Sequence, residues 1–324
     1  MNVVYIIGNG FDLNLGLKTR YSDFYPFYKD VENESRIIKE LKKSIDSNIE
    51  NWSDLELALG KYTKNIKTTE EFDEIFEDLG DRLAEYLEIE YTKFNKSEAS
   101  KESFLKYLGF PEMSLPIADR IRFIKYIQSK AKSKWSLDIM TFNYTKTIED
   151  IIGPNIQGLE LERENKPSLI INGIHHIHGF LDRRMIMGVN DNSQVLNDSL
   201  HSNDDIMETI IKSHCNSAYR STIEGTCREL IYNANLICVF GSSMGETDKL
   251  WWDAISHQIS TKDCILLVFS RTQDFNDNRA YKYSRLARKI KKRFLTDPIL
   301  KGALRENVSN KILMGLNTDM FKIQ

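Results

Sequence analysis

The sequence predicts an α/β protein built on a doubly wound, mostly parallel β-sheet. Two apolar runs, LICVF at 236–240 and CILLVF at 264–269, lack the polar alternation of a strand with one face in water. Strands buried on both faces are typical of parallel sheets covered by helices. Helical patterns at 205–212, 226–233 and 248–259 lie between or after the strand patterns. This alternation of strands and helices indicates the α/β class.

The N-terminal segment supplies the first strand and a glycine turn. The apolar run 3–7 ends at Gly8-Asn9-Gly10, and Phe11-Asp12 then opens a helical pattern. Glycine accepts positive φ and lets a ligand approach the backbone, while a helix N-terminus attracts phosphate. The stretch IIGNGFD therefore predicts a strand, a tight turn and a helix start. This turn either cradles the phosphates of a nucleotide or connects strand and helix without a ligand.

A large helical insertion is predicted after this first strand-helix unit. An ordinary dinucleotide fold would continue with a second strand that ends in an acid about 20 residues after the glycines. Residues 22–134 are polar and helical in period instead, so we predict an insertion at 22–134 and an α/β domain formed by 1–21 and 135–324. The clearest helix carries one apolar face at i, i+3, i+4 spacing. That face consists of Phe72, Ile75, Phe76, Leu79, Leu83, Tyr86 and Leu87.

Two shorter features lie within the insertion. WSDLELAL at 52–59 starts a helix for which Ser53 or Asp54 is a suitable N-cap. The segment 70–90 is rich in acids, which fits either a solvated outer face or an acidic docking surface.

Composition restricts the class of protein. With 324 residues and 41% hydrophobic content, the chain can bury a large core. The net charge of -3 gives no overall attraction to nucleic acid or to an anionic membrane. We find no signal-peptide pattern and no stretch of about 18 apolar residues, so we expect a cytoplasmic protein without a membrane partner. The four cysteines form no CxxC pair, which predicts reduced thiols and neither disulfides nor a zinc site.

Small and polar residues follow four of the predicted strands. Strands are also predicted at 137–142, 169–174 and 185–189. In parallel α/β sheets, ligands bind beyond the carboxyl ends of the strands. We therefore expect one crevice there. Its candidate segments are GNGFD at 8–12, NYT at 143–145, HHIHG at 175–179 and GSSMGETD at 241–248, in which Thr247 or Asp248 would cap the next helix.

The motif set resembles a known family. GNGFDLNLGLKTRYSDFY, WSDLE, TFNYT, HIHGFLD with MGVND after it, and FGSSMGETDKLWW together resemble the bacteriophage abortive infection AbiH family over nearly the whole chain. At a greater distance the same ordered set is similar to the sirtuin NAD-binding core. The resemblance implies a Rossmann-like, sirtuin-like fold and a role in defence against phage. The missing cysteine pairs and Thr145, which stands where a sirtuin-like motif has an acid, argue against protein deacylation.

The sirtuin-like resemblance also implies site residues, with NAD as substrate or ligand. Gly8 and Gly10 would contact the phosphates, Asn143 the ribose and the attacking water, and His178 would be the catalytic histidine. Gly241 with Ser242 or Ser243 would lie at the far side of the dinucleotide. The neighbouring binding candidates are Asn9, Phe11, Asp23 and Glu246.

Chemistry supports the same assignment of roles. Cleavage between ribose and nicotinamide passes through an oxocarbenium-like state, and the cationic pyridinium leaves without protonation. The reaction needs a base and a dipole that holds the nucleophile, roles that suit His178 and Asn143. Asp12 or Asp23 could stabilise the developing positive charge. His175 and His176 are interpreted as structural, and we expect no metal.

A different class of function rests on the basic segment 279–294. RAYKYSRLARKIKKRF contains eight basic residues and no acid. Such a segment either forms an exposed helix of the α/β layer or contacts a nucleic-acid backbone. Three hypotheses therefore stay open: an enzyme that hydrolyses NAD, a nucleotide-binding sensor without turnover, and a defence effector that acts on nucleic acid. A phage-derived trigger and a homo-oligomer are compatible with each.

Overall fold

The protein contains a seven-stranded sheet in the part of the chain that the structure describes. The structure is a computed structural model and describes residues 1–33, 35–130, 134–164, 166–271, 280–296 and 299–323. The strands are β1 (Asn2–Ile7), β2 (Trp135–Thr141), β3 (Leu159–Arg163), β4 (Lys166–His176), β5 (Leu236–Phe240), β6 (Ile265–Ser270) and β7 (Ile312–Leu316). Their order in the sheet is β3-β4-β2-β1-β5-β6-β7. Each neighbouring pair is parallel except β3 and β4, which are antiparallel. The predicted α/β class with a mostly parallel sheet is confirmed.

The helices occupy the connections between the strands. In chain order they are α1 (Gly10–Asn14), α2 (Tyr21–Asp30), α3 (Arg36–Ser47), α4 (Leu55–Tyr62), α5 (Thr69–Tyr91), α6 (Lys101–Gly109), α7 (Ile117–Ser129), α8 (Thr147–Ile152), α9 (Asp204–Ile210), α10 (Lys212–Ala218), α11 (Ile223–Tyr232), α12 (Lys249–Thr261), α13 (Ala280–Arg293) and α14 (Gly302–Asn310). Helices α1 to α7 separate β1 from β2, whereas an ordinary crossover has one helix. The apolar face predicted on α5 is buried except at Phe76, which is half-buried. Asp54 caps α4 by accepting a hydrogen bond from the Leu57 backbone N–H at 3.1 Å.

Three hydrophobic clusters show how the layers pack. One cluster joins one face of the sheet to α6, α7 and α8, and a second joins the other face to α11, α12 and α13. The third cluster contains residues of the four helices α2, α3, α4 and α5, together with residues from the segment 187–211. The helices between β1 and β2 thus pack partly on the sheet and partly on a layer beside it. The division at 22–134 stays a prediction.

The structure corrects the prediction of a strand at 185–189. This segment does not join the sheet and makes one isolated bridge, between Val189 and Ile211. Its apolar residues Met187 and Val189 are buried among the helices of the third cluster, which accounts for the strand-like pattern. Two strands were not predicted. β3 is a polar edge strand, LELER, and β7 is a short run that contains Gly315.

The remaining helix predictions hold in type and shift in their boundaries. In the segment 205–212, residues 205–210 belong to α9 and Lys212 begins α10. The two helices are separated because Ile211 has an extended backbone. The basic segment forms α13 from residue 280 onwards, and residue 279 lies outside the described residues. The cysteines are free, as predicted. Within the described ranges, we find no helix whose length and apolarity would suffice to cross a bilayer.

Candidate functional site

A cleft of about 420 Å³ lies at the carboxyl ends of the central strands. After β4 the chain crosses to the other side of β1 and forms β5, so the winding direction of the sheet reverses at β1. Open α/β sheets bind ligands at such a reversal, where the loops diverge. The cleft is lined by nine of the predicted site residues. These are Gly8, Asn9, Gly10, Asp12, Asn143, His178, Gly241, Ser242 and Ser243.

The glycines on one side of the cleft allow two loops to touch through their backbones. A Cβ atom on Gly10 would lie 2.5 Å from the Cα of Gly241, and one on Gly8 would lie 2.9 Å from the Gly241 carbonyl oxygen. Gly241 also has a φ of +68°, which disfavours any residue with a side chain. Glycine is therefore required here to pack the loop after β1 against the loop after β5.

The predicted phosphate contacts at Gly8 and Gly10 stay a prediction, but the backbone N–H groups of these glycines are already used within the protein. The backbone N–H of Gly8 donates to the Phe240 carbonyl at 2.9 Å, and that of Gly10 donates to the Gly241 carbonyl at 2.7 Å. The N–H of Phe11 donates to the Gly8 carbonyl. These donors already have protein partners, and α1 is only five residues long. The glycines shape the cleft, and a phosphate would need other donors.

Asp12 is a buried carboxylate at the floor of the cleft. Its oxygens accept hydrogen bonds from the hydroxyls of Thr145 at 2.6 Å and Thr147 at 2.8 Å. Burial raises the pKa of Asp12, although both hydroxyls and the nearby Asn143 amide counteract this rise. Thr145 thus holds an acid that comes from the first helix.

Asn143 presents an amide without a hydrogen-bond partner. The residue is 6% exposed, and neither its Oδ1 nor its Nδ2 meets hydrogen-bond geometry with a described residue, although the amide lies near enough to Asp12 to counteract the rise of that pKa. Its backbone is fixed, because the N–H donates to the Thr141 hydroxyl and the carbonyl contacts His176 Nδ1 at 3.0 Å. A buried amide that is held in place without a partner is unusual in a native protein.

His178 lies on the opposite wall of the cleft, beside a buried acid. Its Nε2 is 3.1 Å from Asp248 Oδ1, which is an ion-pair distance, although the two groups are not aligned as a good hydrogen bond. The ring is flanked by Phe142, with centroids 5.2 Å apart. His178 itself is 5% exposed.

Asp248 belongs to a network of ion pairs whose side chains are largely buried. Lys212 Nζ donates to Asp248 Oδ1 at 2.9 Å and to Glu56 Oε2 at 2.8 Å. Glu56 Oε1 in turn accepts from the Gly188 N–H at 3.1 Å. The WSDLE, HIHG, MGVND and GSSMGETD segments thereby meet behind the cleft. His178, Asp248, Lys212 and Glu56 are called the ion network below.

Burial and charge shift the pKa values in this network in opposite directions. Burial raises the pKa of Asp248, but the charges of Lys212 and His178 outweigh it and hold this pKa well below its usual range. Burial raises the pKa of Glu56, and Lys212 only partly offsets the rise. For Lys212, the two carboxylates overcome burial and raise the pKa. Asp248 therefore stays ionised beside His178.

The other two histidines of the HHIHG segment, His175 and His176, do not line the cleft. His176 is buried, and its Nε2 contacts Glu149 Oε1 at 2.7 Å while its Nδ1 contacts the Asn143 carbonyl. His175 Nε2 contacts Asp138 Oδ1 at 3.0 Å. Both rings have partners within the protein. His176 also fixes the backbone that carries the Asn143 amide.

Three predicted site residues do not bring their side chains to the cleft. Phe11 is fully buried in the cluster on the sheet and packs edge-on against Phe104. The Asp23 carboxylate accepts from the Arg20 backbone N–H at 3.2 Å in the first turn of α2. The exposed Glu246 is not among the residues that line the cleft. Proximity in sequence to the loops of the cleft therefore did not place these three side chains in it.

Sequence reasoning missed the ion network apart from His178. Asp248 was predicted to cap the next helix, but its carboxylate makes no capping hydrogen bond and pairs with Lys212 instead. Glu56 had one usable signal, since it interrupts the apolar run of LELAL as a single acid that becomes buried. Lys212 carries no local signal, because its partners lie 36 and 156 residues away.

The fold and the cleft define an α/β protein with a polar cleft at the place where such sheets bind ligands. The chain belongs to the bacteriophage abortive infection AbiH family, whose model matches residues 4–270. The match includes β2, β4, β5, all of β1 except its first two residues, and the helices between β1 and β2. No curated protein matches the chain. Membership of the family assigns the protein to abortive infection, a defence against phage.

Proposed function

We propose that this protein binds NAD in the cleft and hydrolyses it to nicotinamide and ADP-ribose during phage infection. The observation that carries the proposal is that the buried Asn143 amide, which has no hydrogen-bond partner among the described residues, lines the same cleft as His178, whose Nε2 lies 3.1 Å from Asp248 Oδ1. Leaving such a group unsatisfied costs about 1–3 kcal/mol, so a ligand that pairs with it gains affinity. When β3 is left out, the strand order is also that of dinucleotide-binding sheets, which supports a sirtuin-like mode of binding.

The charges around the cleft suit the nicotinamide half of NAD. The cleft is lined by the carboxylates of Asp12, Asp54, Glu56 and Asp248, and Arg20 is the one lysine or arginine among its described lining residues. The nicotinamide ring is a cation before cleavage, and the ribose becomes oxocarbenium-like during cleavage. Preorganised carboxylates stabilise positive charge of both kinds in a site that excludes water.

His178 and Asn143 supply the two groups that hydrolysis needs. The Asn143 amide orients a water molecule toward the anomeric carbon of the ribose. The bond from this carbon to the ring nitrogen breaks with its electron pair moving to nicotinamide, and water forms the new C–O bond. His178 takes the proton of the water, and the ionised Asp248 stabilises the resulting imidazolium.

The test is the release of nicotinamide from NAD by the purified protein, alone and with extracts of phage-infected cells. His178→Ala and Asn143→Ala should each lower the rate of release by at least about 100-fold, the scale of losing a positioned general base. Binding of NAD should change far less than turnover. The double variant should fall short of the product of the two single effects, because both residues act on one step.

His175→Ala is the matched control, since His175 is a histidine of the same segment that pairs with Asp138 and does not line the cleft. It should retain turnover, and cells with this variant should retain protection against phage. Protection that persists in a His178→Ala variant without NAD cleavage would refute hydrolysis as the effector step. Tight NAD binding without any turnover would indicate a sensor instead.

A further inference from the structure

A second cleft of about 420 Å³ adjoins the first at the carboxyl ends of β5 and β6. The two share the segment 241–243 and, from the first helix and the turn after it, Gly10, Leu13 and Arg20. Among the described residues that line the second cleft, four are basic and none is acidic. The basic residues are Arg20, Arg271, Lys289 and Arg293. It is called the basic cleft below.

The fold builds this cleft from three separate elements. Arg271 directly follows β6, Lys289 and Arg293 lie one turn apart on α13, and Arg20 directly precedes α2. The Arg293 guanidinium donates to the backbone carbonyls of Ser243 and Met244, which ties α13 to the loop after β5. Lys289 is thereby held at the mouth of the cleft. Its inner wall is apolar and includes Phe269 and Ile290, both buried.

We infer that the basic cleft binds the diphosphate of a nucleotide whose nicotinamide ribose lies in the first cleft. This inference rests on the proposed function, because one ligand would span both clefts. The two clefts separate charge in the same way as NAD does, with carboxylates at the cationic end and basic residues at the anionic end. Arginine and lysine bind phosphate oxygens through charge-assisted hydrogen bonds, which are the strong ones. The apolar wall offers a surface for the adenosine part.

A diphosphate in the basic cleft would not need the backbone N–H groups of the glycine turn. The N–H groups of Gly8 and Gly10 donate to protein carbonyls, so they cannot hold phosphate. The basic side chains of this cleft would bind the phosphates instead. Arg271 and Lys289 are exposed and form no ion pair with another residue of the described ranges, so ADP would reach their charges in the basic cleft.

The experiment measures ADP and inorganic pyrophosphate binding to the full-length protein by calorimetry. Arg271→Ala and Lys289→Ala should each weaken ADP binding by about 10-fold or more, because each removes a charged hydrogen bond. Lys292→Ala is the matched control, since Lys292 is an exposed lysine of the same helix that does not line the cleft. It should leave ADP binding within about 2-fold of wild type. Nicotinamide riboside binding should be unaffected by all three.

The remaining outcomes separate this inference from the proposed hydrolysis. ADP binding with the expected variant pattern, but without NAD cleavage, would support the basic cleft and refute the hydrolase. NAD cleavage with a KM unchanged by Arg271→Ala and Lys289→Ala would refute the basic cleft alone. Absence of ADP and pyrophosphate binding to wild type would also refute it. Equal loss of RNA binding in the Lys289 and Lys292 variants, with no ADP binding, would replace it by a nucleic-acid surface along α13.

Discussion

The two walls of the first cleft differ in how their polar groups are satisfied. On the glycine wall, the N–H groups of Gly8 and Gly10 donate to carbonyls, and the loops are too close for a side chain. On the opposite wall, the buried Asn143 amide has no hydrogen-bond partner among the described residues, and the buried His178 has Asp248 as its neighbour. Satisfied groups stabilise the fold, whereas unsatisfied ones cost stability and serve a ligand. The glycines of this motif thus have a packing role in the described structure, and the candidate groups for ligand contact on the opposite wall remain part of the proposal.

The ion network forms a third region, which lines the cleft through Glu56, His178 and Asp248 and extends behind it to Lys212. Lys212 is paired on both sides, by Glu56 and Asp248, and all three side chains are at most 17% exposed. A complete network of this kind holds the wall rigid, while the loss of one member leaves an uncompensated buried charge. The comparison thus predicts different consequences for substitutions in the three regions.

The largest effect is expected at the centre of the ion network. Lys212→Met keeps an unbranched side chain one atom shorter than lysine but removes the charge, which leaves Glu56 and Asp248 as neighbouring acids without their cation. Breaking a buried pair in this way costs about 3–5 kcal/mol of unfolding free energy. Urea unfolding measures the loss. Lys249→Met is the control, because its ion pair with Asp253 is about half exposed and should contribute less than about 1 kcal/mol. Similar losses of unfolding free energy in both variants would mean that Lys212 does not form buried ion pairs with Glu56 and Asp248.

A smaller loss of stability is expected on the glycine wall. Gly10→Ala places a methyl group against the Gly241 backbone, which should cost about 1–3 kcal/mol and lower the thermal midpoint. Gly80→Ala is the control, since Gly80 lies within α5 and an added Cβ meets no atom within 4 Å. It should stabilise the protein by about 0.5–1 kcal/mol. A Gly10→Ala variant as stable as wild type would show that the two loops can separate.

The pH dependence of stability should report the paired state of Asp248. Because its folded-state pKa lies below the usual 3.8, Asp248 contributes stability that is present above about pH 3.8 and is lost as pH falls toward the folded-state pKa. Between pH 5 and pH 2, wild type should lose at least about 1 kcal/mol more than Asp248→Asn. Urea unfolding at each pH gives both curves. Parallel curves would mean that the carboxylate is not paired in the folded protein.

The smallest change in stability is expected at Asn143. Asn143→Ala removes a buried amide that has no hydrogen-bond partner, so the free energy of unfolding should stay within about 1 kcal/mol of wild type or rise. Thermal unfolding measures this. A ligand of the cleft should stabilise wild type more than the variant, by mass action on the folded state. A destabilisation above about 2 kcal/mol would indicate that the amide has a partner within the protein and weaken the case for a ligand.

Several elements were predictable because their signals are local. The runs LICVF and CILLVF are buried on both faces wherever they sit in a sheet, so they identified β5 and β6 within one residue. The apolar face of α5 follows from periodicity alone. The prediction of a strand at 185–189 was wrong because an apolar run of five residues is equally compatible with burial between helices. The polar edge strand β3 gave no such signal, since its side chains alternate between exposed and half-buried positions until Arg163.

The sequence by itself determined which residues could meet at the carboxyl ends of the strands, because parallel strands share a direction and their ends share an edge. It also determined the family through its motif set. Only the tertiary structure decided that the glycines pack against each other, that Lys212 joins Glu56 to Asp248, and that Asn143 is buried without a partner. Close approach, charge pairing and burial depend on distances between residues far apart in the chain, and composition and periodicity carry no information about such distances.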